Sequence, residues 1–336
     1  MRTPKHTRDT TMKAWLCETL DGIGAMQFRD LPTPEPKAGE VRIAVKAASM
    51  NFPDLLIVQG KYQFKPALPF VPGAEYSGVI EALGEGVTHL KVGQPVAAIA
   101  GTGGFATHAC VNAAQALPLP PGFALEDAAA FAFTYGTSHH ALMDRAALKA
   151  GETVLVLGAA GGVGSAALQI AKAAGARVIA AASSDEKCAL CKELGADATL
   201  NYSTADLREA LKSLTGGKGV DVVYDPVGGE FAEPVFRSIA WRGRYLVIGF
   251  TGGPIPALPL NLPLLKGASI VGVFWGEFVR REPRASAAAM QALMTWYGQG
   301  KTRPVIDCRM PMTELSAAYA RMASRQVRGK LLLVNR

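Results

Sequence analysis

The chain lacks any uninterrupted apolar run near the roughly 18–20 residues that a membrane span needs. Gly, Ser or a charged residue interrupts each run early, and no apolar segment follows the charges at the N-terminus. Neither a transmembrane helix nor a secretory signal is therefore expected, and a membrane is not an expected partner. Cysteine is scarce and odd in number, at five. That count excludes a disulfide framework and points to free thiols in a reducing, cytoplasmic setting. Cys188 and Cys191 have CxxC spacing but no companion pair; on a helix-patterned segment they are assigned to core packing. A dense basic tract is also missing. The formal charge of +7 favours phosphate groups, yet Lys and Arg are scattered. The densest group, Arg280, Arg281 and Arg284, reads as a solvated face, and no RNA-binding signature with interleaved aromatics appears, so nucleic acid is not an expected partner.

What is present is ample core material: 336 residues, 49% of them apolar, suggest about two domains. Residues 1–11, rich in Arg, Lys, Thr and Asp, read as a disordered leader or a start-site extension, with folding from Met12. From there to about Leu119 short strand patterns with Gly and Pro punctuation predict a mostly β domain. Pro118-Leu-Pro-Pro121-Gly122 is a break, and Leu125–Leu148 reads as helix. From Thr153 strand and helix patterns alternate, which predicts a doubly wound parallel sheet with right-handed crossovers. Its last strand, Ala268 to Phe274, is apolar and falls at the sheet edge, where pairing with a symmetry mate would make a homodimer. After Gly276 the chain is expected to return to the first domain.

The most informative segment is Ala159-Ala160-Gly161-Gly162-Val163-Gly164, which ends the apolar run Thr153–Gly158 and opens a helical pattern. Strand, glycine turn and helix arrive in the order of a dinucleotide-binding unit. Gly161 lets backbone approach a pyrophosphate, Gly164 lets the helix pack close on the strand, and the free amides at the helix start face the negative charge. Ala159 replaces the first glycine of the usual GxGxxG pattern.

Several further motifs occur in order: Ala48-Ser-Met-Asn51-Phe-Pro-Asp54, Pro72-Gly73-Ala74-Glu75-Tyr-Ser-Gly78, Thr134-Tyr-Gly-Thr137 and Gly329-Lys330. With the glycine turn they make the chain from Met12 onward resemble the medium-chain dehydrogenase/reductase superfamily, in its zinc-free NADPH:quinone oxidoreductase branch. The resemblance implies an α/β protein: a GroES-like, mostly β substrate domain (12–133 and 277–336) and a Rossmann domain (134–276). Zinc alcohol dehydrogenases of the superfamily place Cys and His ligands where this chain has Ser49–Asn51 and Ala74. With those ligands missing, no metal is expected.

The resemblance also assigns roles. Asn51 and Thr134 belong to the cofactor and catalytic region, Asn51 either fixing the nicotinamide ribose or polarising a substrate carbonyl. Tyr202 matches the adenosine-side aromatic; Val227, Gly249, Phe250, Phe274 and Trp275 follow strands whose ends contact the nicotinamide. Ala160, Gly161, Gly162 and Val163 form the pyrophosphate turn. Lys330 reaches toward the cofactor or the substrate. Tyr62 either donates a proton or stacks on an acceptor, and Leu56 stands where some quinone reductases carry an aromatic. At the end of the second Rossmann strand, Ala182 occupies the place of the acidic residue that binds the ribose of NADH. Ser183 and Lys187 follow, suited to a 2′-phosphate, with Asp185 as an opposing charge. NADPH is thus the expected cofactor. The expected activity is hydride transfer to a quinone or an α,β-unsaturated carbonyl. Two alternatives stay open: a 2-enoyl-CoA reductase of the acryloyl-CoA type, and a low-turnover nucleotide- or RNA-binding protein of the crystallin kind.

Overall fold

Alternating apolar and polar residues early in the chain pair as antiparallel strands, whereas near-continuous apolar runs after Thr153 pair in parallel with both faces covered. The computed structural model describes residues 11–335 and divides into two compact units. One runs to Ala130 and resumes at Ile306; the other is Phe131–Val305.

The first unit begins with β1 (Thr11–Leu16) and β2 (Gln27–Pro32), paired antiparallel. It continues through β3 (Glu40–Ser49), helix α1 (Phe52–Ile57), β4 (Glu75–Leu83), β5 (Pro95–Ile99), β6 (His108–Asn112), β7 (Ala116–Pro118) and α2 (Leu125–Ala129).

The second unit holds α3 (Ala132–His139), β8 (Thr153–Val156), α4 (Gly162–Ala173), β9 (Arg177–Ala182), α5 (Asp185–Glu193), β10 (Ala198–Asn201), α6 (Leu207–Leu214) and β11 (Val220–Asp225). It ends with α7 (Ala232–Arg237), β12 (Ile239–Val247), α8 (Asn261–Lys266), β13 (Ser269–Gly272), α9 (Trp275–Arg281) and α10 (Pro283–Gly298). Among the described residues its strands form a parallel six-stranded sheet in the order β10-β9-β8-β11-β12-β13. The order turns back at β8, where such sheets bind ligands at their C-terminal ends.

The chain then returns to the first unit with β14 (Ile306–Pro311), α11 (Leu315–Ala323) and β15 (Lys330–Val334). That sheet runs β14-β15-β3-β4-β5-β7, with β6 also on β3. β15 lies antiparallel to β3, Leu332 opposite Ser49, and this register carries Lys330 to the segment just after β3.

Three expectations change. Thr11 already belongs to β1, and the rest of the expected leader lies outside the described residues. The helix expected over Leu125–Leu148 is broken into α2, α3 and a wider π-type turn at His140–Arg145, because the chain passes from one unit to the other at Ala130. The return to the first unit comes at Ile306 rather than after Gly276, since α10 packs with the second unit. Tyr297 meets Phe131 edge-on, Trp296 meets His139, and Gln169 exchanges two hydrogen bonds with the backbone of Arg303.

Candidate functional site

The turn after β8 is set by glycine. Gly158 has φ +57 and supplies the left-handed residue, so the role missing at Ala159 is taken one position earlier. A Cβ on Gly164 would lie 2.2 Å from the Gly158 carbonyl oxygen, so only glycine lets α4 start this close to β8. A Cβ on Gly161 would meet that oxygen at 3.3 Å and nothing else within 4 Å, leaving the outer side of the turn open. Helical geometry leaves the amides of Gly162, Val163 and Gly164 without i−4 partners. No side chain caps them and no acidic residue lies in the first turn, which suits an anion.

At the end of β9, the Lys187 ammonium donates to Ser183 Oγ at 3.1 Å. Ser184 caps α5 by accepting from Lys187 N. Asp185 is drawn aside by Asn201, whose Nδ2 donates to its carboxylate at 2.8 Å. Tyr202 is anchored through its amide to the Ala182 carbonyl, and its ring lies 4.7 Å from that of Phe231.

At the end of β11, Asp225 is buried, and its Oδ1 accepts from the amides of Val227 (2.7 Å) and Gly228 (2.8 Å) while Tyr245 donates its hydroxyl to Oδ2. Burial pushes this carboxyl up, and the three donors pull it back. The arrangement fixes the Val227–Gly228 turn; Gly228, with φ +65, makes room for the Phe250 ring, which a Cβ would meet at 2.9 Å. Gly249 follows the adjacent strand β12. Trp275 is wedged against Gly136 and edge-on to Phe133, Thr134 is buried on the same helix, and Phe274 is exposed.

In the first unit, Ser49, Asn51, Asp54, Glu75 and Lys330 form one buried polar cluster. Lys330 Nζ donates to Met50 O (3.1 Å), Asn51 Oδ1 (2.6 Å) and Glu75 Oε2 (3.3 Å). Glu75 Oε2 also accepts from Ser49 Oγ (2.7 Å) and Asn51 Nδ2 (3.2 Å). Asp54 accepts the amides of Asn51 and Ala74, and Tyr319 donates its hydroxyl to the Asp54 carbonyl. Burial lowers the Lys330 ammonium while Glu75 and Asp54 raise it; burial pushes Asp54 up to about 7 despite its two amides and Lys330. Tyr62 is half-buried, and burial together with the Asp54 charge raises its phenol, so it stays a donor at neutral pH.

The expected residues therefore fall into groups. Ala160–Val163 sit on one turn, and Ser183, Lys187 and Tyr202 gather beyond β9 and β10. Val227, Gly249 and Phe250 gather beyond β11 and β12, and Asn51 and Lys330 are in direct contact. Lys330 directs its ammonium at Met50, Asn51 and Glu75. Sequence reasoning missed the functions of Asp54 and Asp225. Each had a local signal: an acidic residue three after Asn51, and one before a Pro-Val-Gly-Gly turn. Tyr245 had none, because its partner is on another strand.

Residues 162–293 match the family described as zinc-binding dehydrogenase, and residues 37–121 the alcohol dehydrogenase GroES-like domain. Quinone oxidoreductase-like protein 2 of Bos taurus is 38% identical over 336 residues, spanning 96% of this chain and 96% of its own. Quinone oxidoreductase of Sus scrofa is 34% identical over 91% of this chain and 92% of its own. The solved quinone oxidoreductase from Thermus thermophilus, also studied as its complex with NADPH, is 36% identical with a TM-score of 0.84, covering 96% of this chain and 100% of that one. The first family description names zinc, and the residues here do not fit that ion. Among the described residues no three His, Cys, Asp or Glu side chains are gathered, and the Glu75 carboxylate receives Ser49, Asn51 and Lys330 instead.

Proposed function

This chain belongs to the medium-chain dehydrogenase/reductase superfamily, in its quinone oxidoreductase-like branch, and is an oxidoreductase; from that premise we propose that it is an NADPH-dependent reductase of quinones or α,β-unsaturated carbonyls. The observation that carries the reading is the end of β9, where Ala182 stands in the place of a ribose-binding acid and Lys187 is held on Ser183. When bound, a reduced nicotinamide supplies a hydride to an electron-poor carbon. The chain's residues do the holding. The amides of Gly162–Gly164 take the pyrophosphate, and Ser183 and Lys187 take the 2′-phosphate, with Asp185 drawn away by Asn201. Tyr202 flanks the adenosine. Asp225 keeps the Val227–Gly228 turn in shape, and Phe250, Thr134 and Trp275 frame the nicotinamide end. Tyr62 offers its phenol to the acceptor.

The test is NADPH oxidation by chelator-treated protein with a 1,4-quinone and, in parallel, a short enoyl-CoA. Turnover of the quinone supports the reading, and turnover of the thioester alone replaces it. The thioester alternative turns on Arg280, Arg281 and Arg284, the first two of which share the single carboxylate of Glu277; reversing their charge should raise the KM for the thioester and leave small enones unaffected. Silence with both, alongside tight NADPH binding, would favour a low-turnover nucleotide-binding protein. Lys187→Ala should raise the KM for NADPH about tenfold and leave NADH unchanged, the loss of one charge-assisted contact.

Self-association belongs to the same proposal. β13 ends the sheet, and Ile270 on it is 43% exposed. An unpaired edge of this kind supports a homodimer in which two β13 strands pair. Sedimentation should show a dimer at micromolar concentration, and Ile270→Lys should shift it to monomer.

A further inference from the structure

Lys330 determines which way the Asn51 amide faces. An ammonium has three donors and no acceptor. All three are directed, to Met50 O, Asn51 Oδ1 and Glu75 Oε2. An amide nitrogen in place of Asn51 Oδ1, 2.6 Å from Lys330, would set donor against donor, so the carbonyl oxygen must occupy that position. The same holds on the other side, where a carboxylate accepts only: Glu75 Oε2, 3.2 Å from Asn51 Nδ2, requires the nitrogen to face it. Lys330 and Glu75 therefore enforce one amide orientation from opposite ends. Ser49 Oγ lies 3.5 Å from the same nitrogen, the outer limit of a hydrogen bond, and 2.7 Å from Glu75 Oε2, so both oxygens face one N–H of Asn51 and the other N–H is directed at neither. The Ser49 hydroxyl hydrogen is engaged by Glu75 at 2.7 Å, so Ser49 holds Glu75 in place without needing Asn51.

We propose that Lys330 and Glu75 are positioning residues that make Asn51 an obligate hydrogen-bond donor, and that the N–H it does not direct at Ser49 and Glu75 serves the acceptor's carbonyl oxygen as negative charge collects there. The inference rests on the reductase reading above. With a reduced nicotinamide bound, a hydride would pass from it to the β-carbon of the acceptor, forming a C–H bond there and leaving the oxidised nicotinamide. The displaced π pair moves to the carbonyl oxygen, giving an enolate, and a solvent proton then neutralises it. Asn51 adds no atom to the product; it stabilises the oxyanion. A donor aimed where charge develops contributes on the order of 10²–10³ in kcat.

The decisive variant is Asn51→Ala, which removes both N–H groups without adding charge; Asn51→Asp keeps the size but sets a second carboxylate beside Glu75, and serves as the comparison. Two measurements are needed. In the first, kcat with a conjugated enone at saturating NADPH should fall on the order of 100-fold in Asn51→Ala and at least as far in Asn51→Asp, with NADPH affinity by fluorescence titration unchanged within a few-fold. Lys330→Met should fall in kcat as well, and Lys330→Arg, which keeps a buried cation donor, should recover most of it. In the second, which does not depend on turnover, p-nitrophenolate is used as an oxyanion probe with NADP⁺ present. Wild-type protein should bind it about tenfold more tightly than p-nitroanisole, the preference expected of one charge-assisted donor, and the neutral Asn51→Ala should abolish that preference. If Asn51→Ala keeps its kcat, or loses NADPH affinity while keeping the probe preference, the proposal is overturned. If wild-type protein is inactive with every acceptor yet shows the Asn51-dependent preference, the donor assignment stands and the reductase reading fails.

Discussion

Around Asn51 the first unit buries an ammonium, a carboxylate and an amide within hydrogen-bonding reach of one another, with a second buried carboxylate on the Asn51 backbone, while the turn after β8 in the second unit presents main-chain N–H groups with no side-chain cap. The two face opposite hazards. A site of bare amides depends on the absence of Cβ atoms and fails when one is added. A site of interlocked charges depends on every partner and fails when one is removed, because the remaining charge is left buried without compensation.

The sharpest way to break the second unit's arrangement is Gly164→Val. The new Cβ would lie 2.2 Å from the Gly158 oxygen and 2.7 Å from the Ala159 Cα, both backbone atoms that cannot move aside cheaply. We expect a loss of more than about 4 kcal/mol, measured as failure to give a cooperative melt. Gly161→Ala, three residues earlier, should fold with a melting temperature within a few degrees of wild type; a loss as severe as that of Gly164→Val would show that the whole turn, not one contact, is intolerant. Next in size is Lys330→Met in the first unit. It takes the buried Glu75 carboxylate's cation away while the neutral donors Ser49 and Asn51 remain, and urea denaturation should report a loss of about 3 kcal/mol. Adding Glu75→Gln should recover a substantial part, whereas additive losses would mean the two groups act independently.

The smallest effect separates the units by the sign of their pH dependence. Asp54, with an ordinary value of 3.8, is pushed up to about 7, chiefly by burial. The folded state holds its proton more tightly, so this contribution is complete below about pH 4 and is lost as pH rises through about 7. His139 and His140 in the second unit are lowered from 6.5, chiefly by burial. Their contribution is complete above pH 6.5 and is lost as pH falls through their folded values. Asp54→Asn should therefore remove a fall in melting temperature between about pH 4 and 7, and replacing both histidines with Gln should remove a fall as pH drops below 6.5. Profiles unchanged by either substitution would remove the assigned causes.

The difference between the units also explains what was legible in the sequence. The parallel sheet and its glycine turn were read correctly because their determinants lie within about a dozen residues: a strand, a left-handed glycine and a helix start. Even there the left-handed residue is Gly158, outside the hexamer that drew attention. The break at Ala130 was illegible, because the Ala-rich stretch 128–132 carries no proline or glycine and no stop signal; only the change of packing partner ends the helix. The return to the first unit was misplaced because the aromatic face of α10, Trp296 and Tyr297, reads the same whichever unit it covers. Ser183 and Lys187 were singled out by counting from a strand end, and their mutual contact is four residues apart in sequence. Lys330 drew attention by itself, but its contact with Asn51 joins residues 279 apart in sequence, a pairing no local pattern encodes.

The placement of β15 between β14 and β3 has a consequence for the order of events during synthesis. The second unit is continuous and all its strands have left the ribosome by the time Val305 emerges, so its sheet can form while translation proceeds. The first unit's sheet has a gap beside β3 until the segment Lys330–Val334 is delivered. At the roughly 5–20 residues per second of chain growth, the apolar edge of β3 waits on the order of tens of seconds for its neighbour. During that interval the Ala47–Ser49 end of β3 is an unpaired edge open to mispairing.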